Sequence, residues 1–133
     1  MSKIITVAAA IISNEDQQLL LVRKKNTQFF MQVGGKLEEN EPSEDTILRE
    51  IKEEIGAEAV IDQYIGRFET KAANEADHQL ISYLYRVQLK QEPHIHAEIA
   101  EMKWIDLDDD ATPLAPLTRE IVIPWCRQHF NAD

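Results

Sequence analysis

Residues 33–57 hold two adjacent glycines, an acidic loop and a helix pattern, and no other segment limits the possible folds as strongly. Pro42 suits the first position of a helix. Gly56 suits the residue after its end, because glycine readily takes a positive φ. Between them, apolar residues recur at helical spacing and form one stripe: Ile47, Leu48, Ile51 and Ile55. The segment therefore predicts an amphipathic helix that ends at Gly56.

Three carboxylates of this helix, Glu50, Glu53 and Glu54, fall within an arc of roughly 100° that lies away from the apolar stripe. Like charges at this spacing repel by roughly a few tenths of a kcal/mol per pair, and the last turn of a helix disfavours negative charge. A divalent cation would remove this cost, because ions such as Mg²⁺ bind oxygen ligands and share carboxylates with substrate phosphates. The pattern indicates a metal–phosphate site, with a solvated acidic face as the alternative.

Residues 35–57 resemble the Nudix box of the MutT-like Nudix hydrolases, in which these residue types stand at set spacings. The matching residues are Gly35, Glu41, Arg49, Glu50, Ile51, Glu53, Glu54 and Gly56. The resemblance implies an α/β fold, namely an α/β/α sandwich around a mixed β-sheet, formed by residues 1–133 as a single domain.

The resemblance also implies a cofactor, Mg²⁺ or Mn²⁺, and a set of groups that bind it. The implied metal ligands are Glu50, Glu53, Glu54, Glu98 and a backbone carbonyl of the glycine pair, assigned to Gly34. Glu98 is included because Nudix enzymes often carry an acidic loop residue ahead of an aromatic strand, here the strand with Trp104.

The catalytic residues that the resemblance implies are Glu50, Glu53, Glu98 and Arg49. One carboxylate acts as general base, and both Glu53 and Glu98 are candidates. Arg49 would orient a catalytic carboxylate through a charge-assisted hydrogen bond. Glu41 is expected to support the loop or an outer metal position.

Four residues are candidates for substrate binding. Gly35 allows close approach of the backbone to a phosphate, and Lys36 is placed to reach the metal site or a phosphate. Arg23 has a planar guanidinium that suits phosphate, although a solvated strand end is the alternative. Phe29 and Phe30 point to opposite faces of an extended segment, so one of them, taken as Phe29, is a candidate to stack on a base, with packing in the protein as the favoured alternative.

The implied reaction is the metal-dependent hydrolysis of a nucleoside diphosphate linked to a group X. The short chain most resembles MutT-like members, which convert a nucleoside triphosphate to the monophosphate and pyrophosphate. The alternatives are hydrolysis of ADP-ribose, a nucleotide sugar or a dinucleoside polyphosphate, a catalytically silent nucleotide-binding domain, or an acidic interaction domain without metal. The complete set of Glu50, Glu53 and Glu54 argues against a silent domain.

The net charge of −10, from 24 acidic and 14 basic residues, argues against a nucleic-acid polymer or a membrane surface as partner. A small nucleotide or other diphosphate substrate remains compatible, because metal ions can supply positive charge. Cys126 is the single cysteine, which excludes an internal disulfide. No apolar run approaches the roughly 20 residues that span a bilayer. A cytoplasmic monomer or homodimer is expected.

The remaining segments predict mainly strands. In chain order, the predicted strands cover residues 3–12, 18–25, 27–33, 57–70, 80–90 and 102–107. The first two are expected to form a hairpin, and the third leads into a Gly-Gly turn. Gly66 is expected at a bulge or bend. Residues 117–129 predict a final helix that Pro124 kinks or splits.

Overall fold

A computed structural model describes residues 3–130 of the chain. In chain order, its elements are β1 Lys3–Ile11, β2 Leu19–Lys24, β3 Val33–Lys36, α1 Ser43–Ile55, β4 Ala59–Lys71, β5 His78–Leu89, β6 Ile99–Ile105 and α2 Ile123–Phe130. A π-helical segment, Thr118–Val122, leads directly into α2. None of the helices within residues 3–130 is long and apolar enough to cross a lipid bilayer.

Four strands form a mixed sheet in the order β3-β1-β5-β4. β1 runs parallel to β5, from Lys3 opposite His78 to Ile11 opposite Arg86. β3 and β4 run antiparallel to their neighbours. β2 and β6 form a separate antiparallel pair. The predicted α/β fold around a mixed sheet is confirmed.

The predicted hairpin of the first two strands is wrong. β1 has β3 on one side and β5 on the other, so neither of its edges is free for β2. The chain turns sharply after β1, and the two segments meet at a short bridge between Ser13 and Leu19. β2 then leaves the mixed sheet and pairs with β6.

The predicted Gly-Gly turn is also wrong, because Gly34 and Gly35 lie inside β3 and pair with Ala9 and Ala8 of β1. A Cβ at Gly34 would lie 2.9 Å from the Cα of Ala9. Glycine at position 34 therefore allows β3 to lie close to β1. The strand predicted at residues 27–33 begins only at Val33, and the residues before it make isolated bridges.

Both ends of α1 follow from local sequence, with one correction. Pro42 precedes the first helical residue instead of occupying the first helical position, since its ψ of 144° is extended. Gly56 ends the helix as predicted, with a φ of 65° and its N–H donating to the carbonyl of Lys52. The final helix divides into a π-helical part and α2 just before Pro124, close to the predicted break.

The strand predictions after α1 are largely confirmed. β4 is one continuous strand, and its register shifts between Tyr64 and Gly66, where Gly66 has a φ of 155°. β5 covers the predicted alternating segment, and the two faces of this strand enter two different cores.

Two apolar cores lie on opposite faces of the mixed sheet, because side chains alternate along β1 and β5. The core under α1 includes Ala8, Ala10, Ile47, Ile51, Ile55, Tyr85 and Val87. The core under α2 includes Ala9, Ile11, Leu84, Val122, Cys126 and Phe130. The result is a layered arrangement of helix, sheet and helix, with α1 packed beside β3.

Candidate active site

Arg49 is at the centre of a network of charged side chains that connects the loop before α1 to Glu50. Its Nε and Nη2 each donate to a different oxygen of Glu41, at 2.9 Å. Its Nη1 donates to Oε1 of Glu50 at 2.8 Å. The Arg49 guanidinium, together with the Thr46 hydroxyl, lowers the pKa of Glu41 to about 2. Arg49 is therefore held from the loop side by Glu41 and in turn holds Glu50, as charge-assisted pairs do.

The carboxylate of Glu50 lies directly against the backbone of Gly35. A Cβ at Gly35 would lie 2.6 Å from Oε1 and 2.7 Å from Oε2 of Glu50. The side chain of Glu50 is only 14 % exposed. Burial raises its pKa, and the hydrogen bond from Arg49 opposes that rise. Gly35 thus leaves the space that the Glu50 carboxylate occupies.

Glu54 is the most buried acid of the helix, although it lies on the arc away from the apolar stripe. It is 7 % exposed, and its Oε1 accepts a hydrogen bond from the N–H of Gly34 at 3.2 Å. Burial raises its pKa to about 7, against the opposing effects of that hydrogen bond and the charge of Lys24. The protein by itself does not supply enough positive charge to offset the cost of burying this carboxylate.

Glu53, the third carboxylate of the predicted trio, faces solvent. Its side chain is 55 % exposed, and its oxygens lie 3.4 Å from Nη1 of Arg49. Of the three carboxylates, therefore, only Glu50 and Glu54 contact β3, and Glu53 lies on the outside.

A cleft of about 260 Å³ lies on the other side of the glycines. Gly34 and Gly35 line it together with Lys24 and Lys36. Glu50 and Glu54 are not among the described residues that line the cleft. The two glycines adjoin both the cleft and the carboxylates of these acids.

Lys24 is a site residue that sequence analysis missed. It lines the cleft, and its charge acts on both Glu50 and Glu54. The basic run that contains it is visible in the sequence, but adjacent strand residues face opposite sides. Without the location of the core, the sequence does not reveal which of Arg23 and Lys24 faces the cleft.

Arg23 instead faces β6 and the following loop. Its Nε and Nη2 donate to Oε1 of Glu101, and its Nη1 donates to the carbonyl of Thr27 at 2.8 Å. Arg23 and the half-buried Phe29 are not among the described residues that line the cleft. The structure therefore separates these two predicted substrate-binding residues from Gly35 and Lys36.

Glu98 lies in a loop attached to the C-terminal end of α1. The N–H groups of His94 and His96 donate to the carbonyls of Ile55 and Glu54, at 2.8 and 2.9 Å. The carbonyl of Glu98 accepts a hydrogen bond from the N–H of Lys25 at 2.8 Å, and its side chain is exposed. The loop is thus near the helix carboxylates, with Glu98 on its outer side.

Glu50 and Glu54, the two acids that contact β3, offer carboxylate oxygens, which suit a hard divalent cation. Among residues 3–130, no three His, Cys, Asp or Glu side chains form a closed cluster for an ion. Mg²⁺ does not require one, since it usually binds one or two carboxylates and completes its shell with water and substrate phosphates. Glu50, Glu54 and the backbone of Gly34 provide oxygen donors of that kind beside an open cleft.

Comparison with known proteins gives a family and a fold. The model of the NUDIX domain family matches residues 3–126. The MutT NUDIX hydrolase from Burkholderia pseudomallei superposes with a TM-score of 0.79 and 23 % identity, over 92 % of this chain and 97 % of that one. None of the curated proteins matches this sequence closely enough to count as a relative.

Two similar structures carry other activities in their names. A UDP-X diphosphatase has a TM-score of 0.78 and 21 % identity, over 96 % of this chain and 64 % of that one. An ADP-ribose pyrophosphatase from Streptococcus suis has a TM-score of 0.69 and 18 % identity, over 97 % of this chain and 93 % of that one. At these identities the likeness establishes the fold and leaves the substrate open.

Proposed function

We propose a substrate for this chain, which belongs to the Nudix family and is a hydrolase that acts on phosphoric anhydride bonds. The substrate is a nucleoside triphosphate, either a ribonucleotide or a deoxyribonucleotide, and the products are the nucleoside monophosphate and pyrophosphate. The contact of Glu50 and Glu54 with Gly35 and Gly34, which also line a cleft, supports hydrolysis of a diphosphate bridge at this site. The choice of a triphosphate rests on the resemblance of this short chain to MutT-like members of the family.

Nudix hydrolases generally use divalent metal ions, and we assign that role here to Mg²⁺ or Mn²⁺. Glu50, Glu54 and the carbonyl of Gly34 would hold the ion, with Glu53 and Glu98 as outer ligands. Such an ion neutralises phosphate charge and lowers the pKa of a bound water. The raised pKa of Glu54, caused by burial, supports this assignment, because a nearby cation offsets that cost.

The other residues bind the substrate, orient the Glu50 carboxylate or accept a proton from the attacking water. Arg49 orients the Glu50 carboxylate through its 2.8 Å hydrogen bond. Glu53 and Glu98 are both exposed carboxylates and are the two candidates for the general base. A general base must be accessible to the attacking water, which favours these two over the buried Glu54.

Lys24 and Lys36 are placed to bind the phosphates. Both line the cleft beside Gly35, and neither forms an ion pair among the described residues. Lys71 also lines the cleft, and in a chain with a net charge of −10 three lysines at one cleft offer a local site for a polyanion. Direct substrate contacts by Arg23 and Phe29 stay predictions from sequence, as does a cytoplasmic location.

The alternatives are ADP-ribose, nucleotide sugars and dinucleoside polyphosphates, two of which correspond to the names of similar structures. All of them contain a nucleoside diphosphate, so the same acids and lysines would serve. Purified protein should be assayed with Mg²⁺ against ribonucleoside and deoxyribonucleoside triphosphates and these three classes. A higher kcat/KM for any alternative class than for every triphosphate would overturn the substrate assignment.

The variant Glu54→Gln tests the assignment of the site, because it keeps the shape of the side chain and removes its charge. We expect turnover to fall by at least roughly 100-fold, since even outer-shell partners of metal sites cost about 10–100-fold. Glu44→Gln is the matched control, because Glu44 is an exposed acid in the first turn of the same helix. Wild-type turnover in Glu54→Gln would refute the role given to this carboxylate.

A further inference from the structure

Two polar side chains are buried together at the wall of the cleft. Gln32 is 6 % exposed and Thr118 is fully buried, and both line the cleft. The Nε2 of Gln32 donates to the carbonyl of Ala10 at 2.8 Å. The hydroxyl of Thr118 donates to Oε1 of Gln32 at 2.9 Å. The pair joins segments that are 86 residues apart in the chain.

These contacts fix the orientation of the Gln32 amide. The carbonyl of Ala10 only accepts hydrogen bonds, so the NH₂ group must face it and the amide oxygen must face Thr118. An amide has two N–H donors and two acceptor positions on its oxygen. One of each is used, which leaves one N–H donor and one acceptor position of the amide for a ligand.

The cleft that Gln32 lines has mostly apolar walls, and Lys71, Asn74 and Glu75 add polar groups to its lining. The apolar residues include Ile5, Val7, Met31, Leu80, Pro116 and Leu117. Small-molecule pockets are commonly lined in this way, and their few polar groups set the orientation of the ligand. A sugar, with hydroxyl groups on every side, would leave many of its hydrogen-bonding groups unpaired against such walls.

The position of Gln32 along the chain also suits a nucleotide. Gln32 lies two residues before Gly34 and three before Gly35, which is roughly 7–10 Å in an extended chain. A base at Gln32 would therefore leave room for its sugar before the phosphates reach Lys24, Lys36 and the helix acids.

We propose that Gln32 is a substrate-binding residue of this enzyme and pairs with the edge of a nucleobase, where an acceptor lies next to a donor. Thr118 is a positioning residue that holds the amide in the reading orientation. This inference rests on the proposed function for the direction of the phosphates, but base binding at Gln32 does not require turnover. A base lacking the donor would leave the amide oxygen with an unused position and bind less tightly.

The first experiment measures binding of nucleosides, which have no phosphate. The wild-type protein is titrated with guanosine, adenosine or purine riboside, and binding is followed by NMR through the side-chain NH₂ resonances of Gln32. Purine riboside lacks the exocyclic donor. Guanosine or adenosine should shift these resonances and bind at least about 10-fold more tightly than purine riboside. Equal binding of all three, or no shift of the Gln32 resonances, would overturn the inference.

The second experiment separates reading of the base from a purely structural role. Gln32→Met keeps the length of the side chain without its hydrogen bonds. The difference in affinity between guanosine or adenosine and purine riboside should then close to within about 2-fold. Thr118→Val should reduce the difference and Thr118→Ser should restore it. The contrary result is a Gln32→Met protein in which all three affinities fall in parallel and the full difference between the nucleosides remains. That result would overturn the inference, because it would show that Gln32 and Thr118 only stabilise the fold.

Turnover distinguishes failure of this inference from failure of the proposed function. The kcat/KM for the preferred nucleoside triphosphate should be about 10-fold lower in Gln32→Met than in wild type. Nucleoside binding at Gln32 without triphosphate turnover would refute the proposed function alone. Triphosphate turnover with the same kcat/KM in Gln32→Met as in wild type would refute the role of Gln32 alone.

Discussion

Replacing Gly35 by alanine tests whether the site depends on the contact between β3 and Glu50. The new Cβ would lie 2.6 Å from Oε1 of Glu50, which is closer than carbon and oxygen atoms approach without a bond. The carboxylate ends a flexible side chain, so it should move in preference to the backbone. That movement breaks the 2.8 Å hydrogen bond from Arg49 and displaces an assigned metal ligand.

The expected effect is large on activity and small on stability. A displacement of about 1 Å at reacting groups costs on the order of 100-fold in rate. Loss of a hydrogen bond to a charged group costs about 1.5–3 kcal/mol, and alanine recovers about 0.5–1 kcal/mol relative to glycine in a strand. The net loss of about 0.5–2.5 kcal/mol corresponds to a fall in Tm of roughly 2–12 °C for a chain of this size.

The assay is metal-dependent product release at a temperature well below Tm, with urea or thermal unfolding measured on the same samples. Gly34→Ala is the control with the opposite expectation. Its Cβ would meet the backbone of Ala9 at 2.9 Å, which no rotamer can relieve, so the strands must separate and stability should fall first. The double variant Gly35→Ala/Glu50→Asp, with its shorter acid, should regain part of the lost activity.

Two results would refute this reasoning. Wild-type kcat/KM in Gly35→Ala would show that the Glu50 contact is dispensable. A Gly35→Ala protein that unfolds as readily as Gly34→Ala would show that loss of structure, and not displacement of the carboxylate, explains the loss of activity.

Three further outcomes are expected. Gly56→Ala should lower stability by at least about 1–2 kcal/mol in urea unfolding, because φ is 65° and a Cβ would lie 2.9 Å from Cδ2 of His96; no loss would contradict this. Glu41→Gln should be less stable than wild type at pH 7, and the difference should shrink as pH falls from about 4.5 towards 2, since Arg49 lowers the folded pKa of Glu41 to about 2. A difference independent of pH would refute that linkage. Cys126 is fully buried, and burial raises its pKa to about 12, so a thiol reagent at pH 8 should react with it only after unfolding in urea. Rapid reaction of the native protein would show that the thiol is accessible.

Local patterns determined much of the molecule from sequence alone. The stripe of Ile47, Ile51 and Ile55 gives α1 one buried face, and Gly56 ends it, because both depend on neighbours within a few residues. The alternation along β5 predicted a strand with two different faces for the same reason. The Nudix box is also local, so the family and the reaction class follow from residues 35–57.

Tertiary structure decided how these parts meet. The pairing of Gly34 and Gly35 with Ala9 and Ala8 turns an apparent turn into a strand, because a glycine pair is compatible with both and the partner strand lies far away in sequence. The same pairing buries Glu54 and leaves Glu53 in solvent, a division that helical spacing alone does not show.

The cleft depends entirely on distant contacts. Lys24 faces it and Arg23 does not, because the pairing of β2 with β6 sets which side of the strand turns inward. Gln32 and Thr118 meet across 86 residues. Sequence alone therefore determined the chemistry of the helix acids, through periodicity and spacing. The folded chain decided which acids meet the strand and what lies opposite them, because those contacts arise only when distant segments pack together.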